Sequence, residues 1–277
     1  MAHSPSGESL IERVVRILES FDAHSPVLTI SEIARRADLP VTTAHRLVTD
    51  LLDIRLLERT GDRGIHVGVR LWELSARASG VIRLRDVALP FMEDLHAVVR
   101  QHTQLGVLDG DEVLSIERLS TPGSIINATH VAGRLPVHAC SAGLVLLAYS
   151  AEERREELLA QPLERYTART IVDPTKLRAI FADIRARGHF VADRMTIPDA
   201  IGAAAPVFDA NGQIAAALTI VLPSDAERVV GHVPALMTAA RGISRSLGGS
   251  ASLMDSAQPA SDPRFFAVQR NKRRSKH

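Results

Sequence analysis

Residues 29–53, TISEIARRADLPVTTAHRLVTDLLD, constrain the fold of this chain more than any other segment. In the second half of the segment, apolar residues recur at i, i+3, i+4, i+7 and i+8, the spacing of one face of an α-helix. These residues are Ala44, Leu47, Val48, Leu51 and Leu52. Polar side chains occupy the other side of this predicted helix near its N-terminus. The pattern therefore indicates a helix with one buried face and one polar face.

A second, shorter helix is predicted directly before it. Thr29 and Glu32 have the spacing of a capping box, and Ile33, Ala34 and Ala37 supply an apolar face. The sequence Asp38-Leu39-Pro40 ends this helix, because proline disfavours helical geometry at the preceding residue. Two helices joined by a tight turn are typical of a helix-turn-helix, whose second helix enters the DNA major groove. The alternative is an ordinary helical hairpin with a solvated face.

The residues after the second helix favour the DNA-binding interpretation. Residues 56–60 and 65–67 alternate in polarity around a glycine-containing turn at residues 61–64, which is a β-hairpin signal. A hairpin in this position makes a winged helix-turn-helix. Arg59, Arg63 and His66 would give the wing side chains that can meet phosphates.

Bulk charge does not support DNA binding by itself. The formal net charge of +1 includes a C-terminal run, residues 264–277, with six Lys or Arg and no acid, so residues 1–263 carry a net charge of −5. Affinity for DNA must then come from a few local groups, for which we select Arg35, Arg36, Arg46 and Arg63. It should also depend on dimerisation, because a dimer doubles the number of these contacts.

Length and composition are those of an ordinary globular protein. The 277 residues suffice for two domains, and the hydrophobic and charged fractions are 45% and 23%. No apolar run approaches the ~20 residues that cross a bilayer, and no secretory signal is visible. The single cysteine, Cys140, gives no internal disulfide framework. We expect a cytoplasmic protein with no membrane contact.

In chain order, we expect a disordered lead (1–8), a winged helix-turn-helix domain (9–68) that begins with a helix ending near Asp22, and a linker helix (69–89). The linker is predicted to bend at Gly80, and its apolar residues, with Trp72 as a packing anchor, make it a natural place for two subunits to meet. A further domain (90–248) precedes a flexible basic tail (249–277), whose charges we take to be solvated.

The domain at residues 90–248 mixes helices with antiparallel strands, which predicts an α+β fold. A helix is predicted to begin at Pro90 and run to about His102. Strands are predicted at 103–108, 112–119, 125–131, 189–193, 202–208 and 213–222, with a hairpin turn at Asn211-Gly212. The remaining helices are predicted at 136–149, 151–160, 174–187 and 225–247.

Four segments together resemble the IclR family of bacterial transcription regulators. They are ISEIARRADLPVTTAHRLV, VLDGDEVLSIERL, GRLPVHACSAGLVLLA and AAPVFDANGQIAAALTI, within a resemblance that covers about residues 9–248. The resemblance implies a winged helix-turn-helix joined by a linker helix to a C-terminal sheet-and-helix, GAF/PAS-like, effector-binding domain, assembled as homodimers or tetramers. It maps the recognition helix onto residues 41–53, so Thr42, Thr43, His45 and Arg46 become candidates for contact with double-stranded operator DNA.

The resemblance also implies an effector pocket. Backbone amides at Ser141 and Ala142, near a helix start, would receive an anionic or polar group. The other candidate ligand-binding residues are Leu135, His138, Met195, Gly202, Thr219 and Val221. Relatives that bind very small acids carry cysteine and serines at positions 202, 219 and 221, and here only Thr219 keeps a hydroxyl. With Met195, Asp199 and Leu144 also departing from the family pattern, we expect a roomier, apolar pocket for an aromatic acid or a related compound.

We expect a repressor of catabolic genes that needs no cofactor. A transcriptional activator of the same fold is the first alternative, because sequence does not determine which state the effector stabilises. The second alternative is an enzyme using His130, His138 and Cys140 as a nucleophilic pair or as metal ligands. C-x-x-C, H-E-x-x-H, G-x-S-x-G and phosphate-loop spacings are all missing from the chain, so we predict neither catalytic nor metal-binding residues.

Overall fold

The computed structural model describes residues 8–22, 24–61, 63–78, 80–121, 131–223 and 226–249. They form two compact units divided between Ala78 and Gly80, and each unit is described by itself. The predicted lead and the predicted basic tail lie outside the described residues, except for Glu8 and Gly249 at their inner ends.

The described part of the N-terminal unit has the order helix, helix, helix, hairpin, helix. The elements are α1 (Leu10–Glu19), α2 (Ile30–Arg36), α3 (Val41–Asp53), β1 (Leu57–Thr60), β2 (Gly64–Val67) and α4 (Val69–Ala78). The predicted winged helix-turn-helix is therefore confirmed as a fold. Helix α1 ends earlier than the prediction of Asp22, because Ser20 closes the helix as its C-cap.

Local side-chain chemistry sets the ends of these helices. The capping boxes of α1 and α2 are both present, with the Ser9 and Thr29 hydroxyls each accepting from the backbone N–H three residues later. Between α2 and α3 the chain turns at Asp38, whose φ of 49° is left-handed. Pro40 then serves as the N-cap position of α3. This geometry is the tight turn that the sequence Asp38-Leu39-Pro40 predicts.

One further backbone bridge joins the wing to the chain segment just before α2. Leu28 pairs with Ile65 of β2, donating and accepting hydrogen bonds of 2.9 and 2.8 Å. Both residues are buried in a small shared core. The other fully buried apolar members of this core come from every helix of the trihelical part and from β1: Ile17, Ile33, Ala37, Leu47, Val48, Leu51 and Leu57. The core holds the hairpin beside α3, which is the position a wing requires.

The C-terminal unit is built around one antiparallel sheet. Its strands are β3 (His102–Asp109), β4 (Glu112–Leu119), β5 (Arg134–Pro136), β6 (Phe190–Asp193), β7 (Ala200–Phe208) and β8 (Ile214–Pro223). Among the described residues, the strand order across the sheet is β5-β4-β3-β8-β7-β6. The helices are α5 (Gly80–Val99), α6 (Ser141–Ala148), α7 (Glu152–Leu159), α8 (Pro174–Arg187) and α9 (Ala226–Ser246). The predicted α+β class is confirmed.

Each face of the sheet has its own core cluster. Helices α5 and α9 cover one face over large side chains such as Leu105, Ile116, Leu218 and Ile220. Helices α6 and α8 belong to the cluster on the other face, where Leu144, Leu177 and Phe181 are fully buried. The mostly small or polar residues of the strands on this second face leave space between the sheet and α6.

The prediction that a helix begins at Pro90 is wrong. Helix α5 begins at Gly80 and continues through Pro90, which is exposed. The helix is kept continuous because Leu84, Ala88, Met92, Leu95 and Val99 form one buried stripe along its whole length. Burial of that stripe outweighs the hydrogen bond that an internal proline removes. The predicted linker segment, 69–89, is accordingly divided between α4 and the first half of α5.

The prediction of a helix from Pro136 is also wrong at its start. Residues 134–136 form β5, in which Leu135 pairs with Val113 of β4, and helix α6 begins only at Ser141. Edge pairing with β4 satisfies this backbone before the helix can start. Most of the predicted strand at 125–131 lies outside the described residues, and Val131 is part of a turn.

Candidate functional site: the recognition helix and a cavity above the sheet

Helix α3 presents a polar surface beside the wing. Its apolar stripe, Ala44, Leu47, Val48 and Leu51, is buried, whereas Thr42, His45 and Arg46 are exposed and Thr43 is half-buried. The Arg46 guanidinium lies 3.6 Å from the Asp50 carboxylate, one turn along the same exposed face. An exposed pair of this kind is worth little to stability, so Arg46 can exchange its partner for a base or a phosphate.

The other arginines selected from sequence have different surroundings. Arg35 on α2 and Arg63 in the wing turn are exposed. Arg36 instead braces the loop between α1 and α2, donating to the Ser20 carbonyl at 2.9 Å, the Asp22 carboxylate at 3.0 Å and the Ser25 hydroxyl at 2.7 Å. Its donors already have partners within this unit. Arg36 therefore stabilises its own unit although it is exposed, and its contact with DNA stays a prediction.

A cavity open to solvent lies between the strands and the start of α6, and the empty space within it and at its mouth amounts to about 630 Å³. Seven of the eight residues selected from sequence for ligand binding line it: Leu135, Ser141, Ala142, Met195, Gly202, Thr219 and Val221. The remaining wall comes from Gln104, Gly106, Val113, Ser115, Cys140, Ala192, Thr196, Ile197 and Ala200. Among the described residues, no charged side chain lines this cavity.

The exception is His138, which lies outside the lining. This side chain is buried, its Nε2 pairs with the Glu164 carbonyl at 2.8 Å, and its ring packs 5.9 Å from that of Tyr166. A carbonyl partner on the neighbouring loop turns the imidazole away from the cavity. The expectation that His138 lines the pocket is therefore wrong.

The N-terminus of α6 opens onto the cavity. Cys140 is the N-cap, and its Sγ accepts from the Gly143 N–H at 3.4 Å. Gly143 is required here because a Cβ would stand 2.0 Å from the Val137 carbonyl oxygen. The next backbone amides, of Ser141 and Ala142, have no acceptor among the described residues. Two free amides at a helix start attract an anion without any basic side chain.

Cys140 is a packing and capping residue rather than a nucleophile. Burial raises the pKa of its thiol to about 11, so the thiol is neutral at physiological pH. Of its suggested partners, His138 pairs with a carbonyl and His130 lies outside the described residues. No group of three or more potential metal ligands exists within the described parts of the chain.

One wall of the cavity is a loop between β6 and β7 held by threonines. Thr196 donates from its hydroxyl to the Ala139 carbonyl at 2.5 Å, next to the start of α6. Behind the loop, Thr170 and Thr167 donate to the carbonyls of Met195 and Arg194 at 2.6 and 2.7 Å. These bonds fix the backbone of Met195, whose side chain faces the cavity. Sequence reasoning did not find Thr196, because a lone threonine in a loop carries no pattern.

The cavity residues on β3 and β4 that the sequence analysis did not identify nevertheless follow a recognisable sequence pattern. Gln104 and Gly106 alternate on β3, and Ser115 interrupts the apolar β4 on the same side as Val113. Small or polar residues at alternate positions of otherwise apolar strands mark a face that is not filled by core. The pattern becomes readable only once the strands are paired.

A DNA-reading helix beside a wing, together with a separate cavity suited to a small molecule, defines a transcription regulator with a sensor domain. Two family models match this chain: the IclR helix-turn-helix domain over residues 10–61 and the C-terminal domain of bacterial IclR regulators over residues 76–245. The chain belongs to the IclR family of bacterial transcriptional regulators. This family consists of regulators, which agrees with the expectation that the chain is not an enzyme.

Individual relatives match over most of this chain. An IclR homolog from Microbacterium hydrocarbonoxydans, solved with 4-hydroxybenzoate, is 45% identical with a TM-score of 0.79, covering 86% of this chain and 99% of that one. The regulator BhcR of Paracoccus denitrificans is 31% identical, covering 88% of each chain. The transcriptional repressor AllR of Escherichia coli is 27% identical, covering 89% of this chain and 93% of its own length. Within the described residues, no helix is long and apolar enough to cross a membrane.

Proposed function

We propose that this protein is a repressor of catabolic genes whose operator binding is controlled by an aromatic carboxylate in the α6 cavity. The observation that carries the proposal is the combination of two acceptor-free amides, at Ser141 and Ala142, with an otherwise uncharged and largely apolar wall. The amides and the helix dipole suit a carboxylate, and the apolar wall suits a ring. The relative solved with 4-hydroxybenzoate supports a ligand of that size and chemistry.

The cavity disfavours the smallest acids. A ligand such as pyruvate would leave much of the apolar wall, including Val113, Leu135 and Val221, in contact with water or empty space. An aromatic ring buries that surface and gains from its removal from water. The apolar part of the wall and the absence of charged side chains from the described lining therefore favour an aromatic over an aliphatic acid.

DNA binding in this proposal requires a dimer. Helix α4 exposes Val69, Trp72 and Leu74, and the first two are each 67% exposed, which is unusual for large apolar side chains on one short helix. We propose that α4 pairs with a second copy and sets the spacing of two recognition helices. Each α3 would then enter a major groove, with half-sites about one helical turn, or a multiple of it, apart.

Calorimetric titration of the full chain with benzoate, 4-hydroxybenzoate, acetate and pyruvate tests the effector class. We expect the two aromatic acids to bind and the aliphatic acids to bind weakly or not at all. A gel shift with an operator selected from random DNA then tests the regulatory sign, and we expect the bound aromatic acid to release the DNA. Binding of the aliphatic acids alone would overturn the effector class, and stronger DNA binding with the ligand would contradict this mode of repression.

Arg46→Ala tests whether α3 reads bases. If Arg46 bonds a base edge, specific binding weakens by roughly 1–3 kcal/mol while binding to scrambled DNA changes little. Equal weakening on both DNAs would show a phosphate contact instead. Arg36→Ala is the matched control: because Arg36 braces its own unit, we expect it to lower thermal stability rather than sequence preference.

A further inference from the structure

Two hydroxyl groups face the cavity without any hydrogen-bond partner. Ser115 on β4 and Thr219 on β8 both line the cavity, both are only 5% exposed, and neither Oγ has a hydrogen-bond partner among the described residues. A buried hydroxyl without a partner is unfavourable, and natural proteins retain few of them. Two on the wall of one cavity indicate that something bound there completes their hydrogen bonding.

Ser115 faces the cavity through the regular alternation of β4, on the same side as Val113 two residues earlier. Along the β3–β4 pair, Leu105 is opposite Glu117 but the next residue, Gly106, is opposite Ser115, so Ile116 is skipped as a bulge. The bulge therefore re-aims the residues after Ile116, beginning with Glu117, whose carboxylate pairs with Arg85 of α5. Ile116 packs into the cluster under α5 and α9, while Ser115 faces the cavity. Glycine is required at position 106, opposite Ser115, because a Cβ there would stand 2.6 Å from a methyl carbon of Val113.

Ser115 lies at the opposite end of the cavity from the free amides of α6. Gly202 on β7 marks the α6 end, because a Cβ at Gly202 would be 2.8 Å from the Ser141 hydroxyl. In the strand order β4-β3-β8-β7, Ser115 is three strands away from Gly202. Three spacings of ~4.8 Å make about 14 Å across the sheet. The cavity thus has an anion-attracting end and a neutral hydroxyl end, with apolar wall between them.

We infer that Ser115 is the specificity-determining residue for the far end of the effector, where it hydrogen-bonds a hydroxyl group opposite the carboxylate on the ring. The inference rests on the proposed function, because the carboxylate at α6 sets the orientation of the ring. Thr219, only one strand from Gly202, lies nearer the carboxylate end and cannot take this role. The preferred ligand class is a para-hydroxylated aromatic acid, because Ser115 is neutral and can donate to or accept from a phenol.

The test measures affinity for 4-hydroxybenzoate, 3-hydroxybenzoate and 4-methylbenzoate by calorimetry on three forms of the full chain: wild type, Ser115→Ala and Thr103→Val. The methyl compound matches the hydroxyl compound in size without its hydrogen bond. Thr103→Val is the matched control, because Thr103 on β3 also has a buried, unpartnered hydroxyl but does not line the cavity. Thermal unfolding of each variant verifies folding.

In the wild type, we expect 4-hydroxybenzoate to bind about tenfold more tightly than 4-methylbenzoate, since the hydroxyl makes a hydrogen bond that the methyl group cannot. We expect 3-hydroxybenzoate to be weaker than the para isomer. Ser115→Ala should bring the ratio near one mainly by weakening the hydroxyl compound, while Thr103→Val keeps the ratio. Equal binding of the two para compounds by the wild type, or an unchanged ratio in Ser115→Ala, would overturn the inference but leave the proposed effector class standing. Absence of binding by every aromatic acid would overturn both.

Discussion

The two faces of the six-stranded sheet are formed by the same strands, yet one face is a filled core and the other borders a cavity. On the face under α5 and α9, strands β7 and β8 alternate Ile201, Ala203, Val207, Leu218 and Ile220 into a filled core. On the opposite face, most of the intervening positions of these strands and of β3 and β4 are small or polar: Gly202, Ala204, Ala217, Thr219, Gln104, Gly106 and Ser115. Because neighbouring residues of a strand point to opposite faces, one short sequence encodes both a core and a cavity.

The helices reinforce this difference. Two long helices, with 20 and 21 residues, cover the filled face, whereas the first helix on the other face, α6, has only eight residues and begins over the sheet. Because α6 starts over the sheet, its first residues and their unpaired backbone amides lie at the wall of the cavity. Stability and ligand binding are thus assigned to opposite sides of one sheet, and substitutions at adjacent residues should separate them.

The largest effect is expected on the filled face. Leu218→Ala removes a fully buried side chain from between the sheet and its two long helices, so we expect the free energy of unfolding to fall by about 2–5 kcal/mol. Chemical denaturation followed by circular dichroism measures the loss. A change below about 1 kcal/mol would show that this face is not the tightly packed one.

On the cavity side, ionisation of Cys140 is expected to lower the free energy of unfolding by about 2–3 kcal/mol as the pH rises from 9 to 11. The folded-state pKa of its thiol is raised by burial from 9.0 to about 11, so the neutral thiol favours the folded state. This contribution is complete below pH 9, falls by about 1.4 kcal/mol per pH unit above it, and is lost as the pH passes 11. Denaturant unfolding between pH 8 and 11 measures the fall.

Cys140→Ser is the control for that prediction, because it keeps an N-cap acceptor for the Gly143 amide and removes the titration. Other groups that titrate in this range remain in both proteins and cancel in the comparison. We expect the variant to lose less stability between pH 9 and 11 than the wild type. Parallel curves would contradict a buried neutral thiol.

Elements that local sequence patterns determine were predicted correctly, whereas elements that contacts with the sheet determine were not. Helix α3, the wing and the β7–β8 hairpin follow from local patterns: the apolar stripe, the glycine turn and Asn211-Gly212. The start of α5 did not follow, because a buried stripe from Leu84 to Val99 overrides the local break at Pro90. Propensity is local, whereas this helix is determined by its contacts with the sheet.

The cavity shows the same division. Seven residues of its wall could be predicted because they match positions of the effector pocket in the family that the sequence resembles. Ser115 could not be predicted in this way. Ser115 alternates with Val113 on β4, but which face of β4 borders a cavity becomes clear only when the strands pair and pack. His138, three residues before Ser141, was also a candidate for ligand binding, yet its ring pairs with the Glu164 carbonyl and does not line the cavity. Closeness in sequence does not determine the direction of a side chain across a turn.

A smaller effect, confined to the cavity face, is expected from Gly202→Val. The added Cβ would stand 2.8 Å from the Ser141 hydroxyl, and the methyl groups would enter the end of the cavity next to the free amides. We expect at least tenfold weaker binding of 4-hydroxybenzoate by calorimetry, which is about 1.4 kcal/mol. Gly202→Ala, with its smaller side chain, should weaken binding less. Unchanged affinity in the valine variant would place the ligand elsewhere.

The smallest expected effect is a gain in stability, in contrast to the loss expected from Leu218→Ala. Thr219→Val replaces a buried, unpartnered hydroxyl with a methyl group of similar size, on the residue next to Leu218. Removing an unsatisfied polar group should raise the free energy of unfolding of the ligand-free protein by up to about 1 kcal/mol, with water in the cavity reducing the gain. Adjacent substitutions at positions 218 and 219 would then change stability in opposite directions, which denaturant unfolding of both variants can measure. Destabilisation of Thr219→Val by as much as Leu218→Ala would mean that the cavity face, too, is tightly packed structural core.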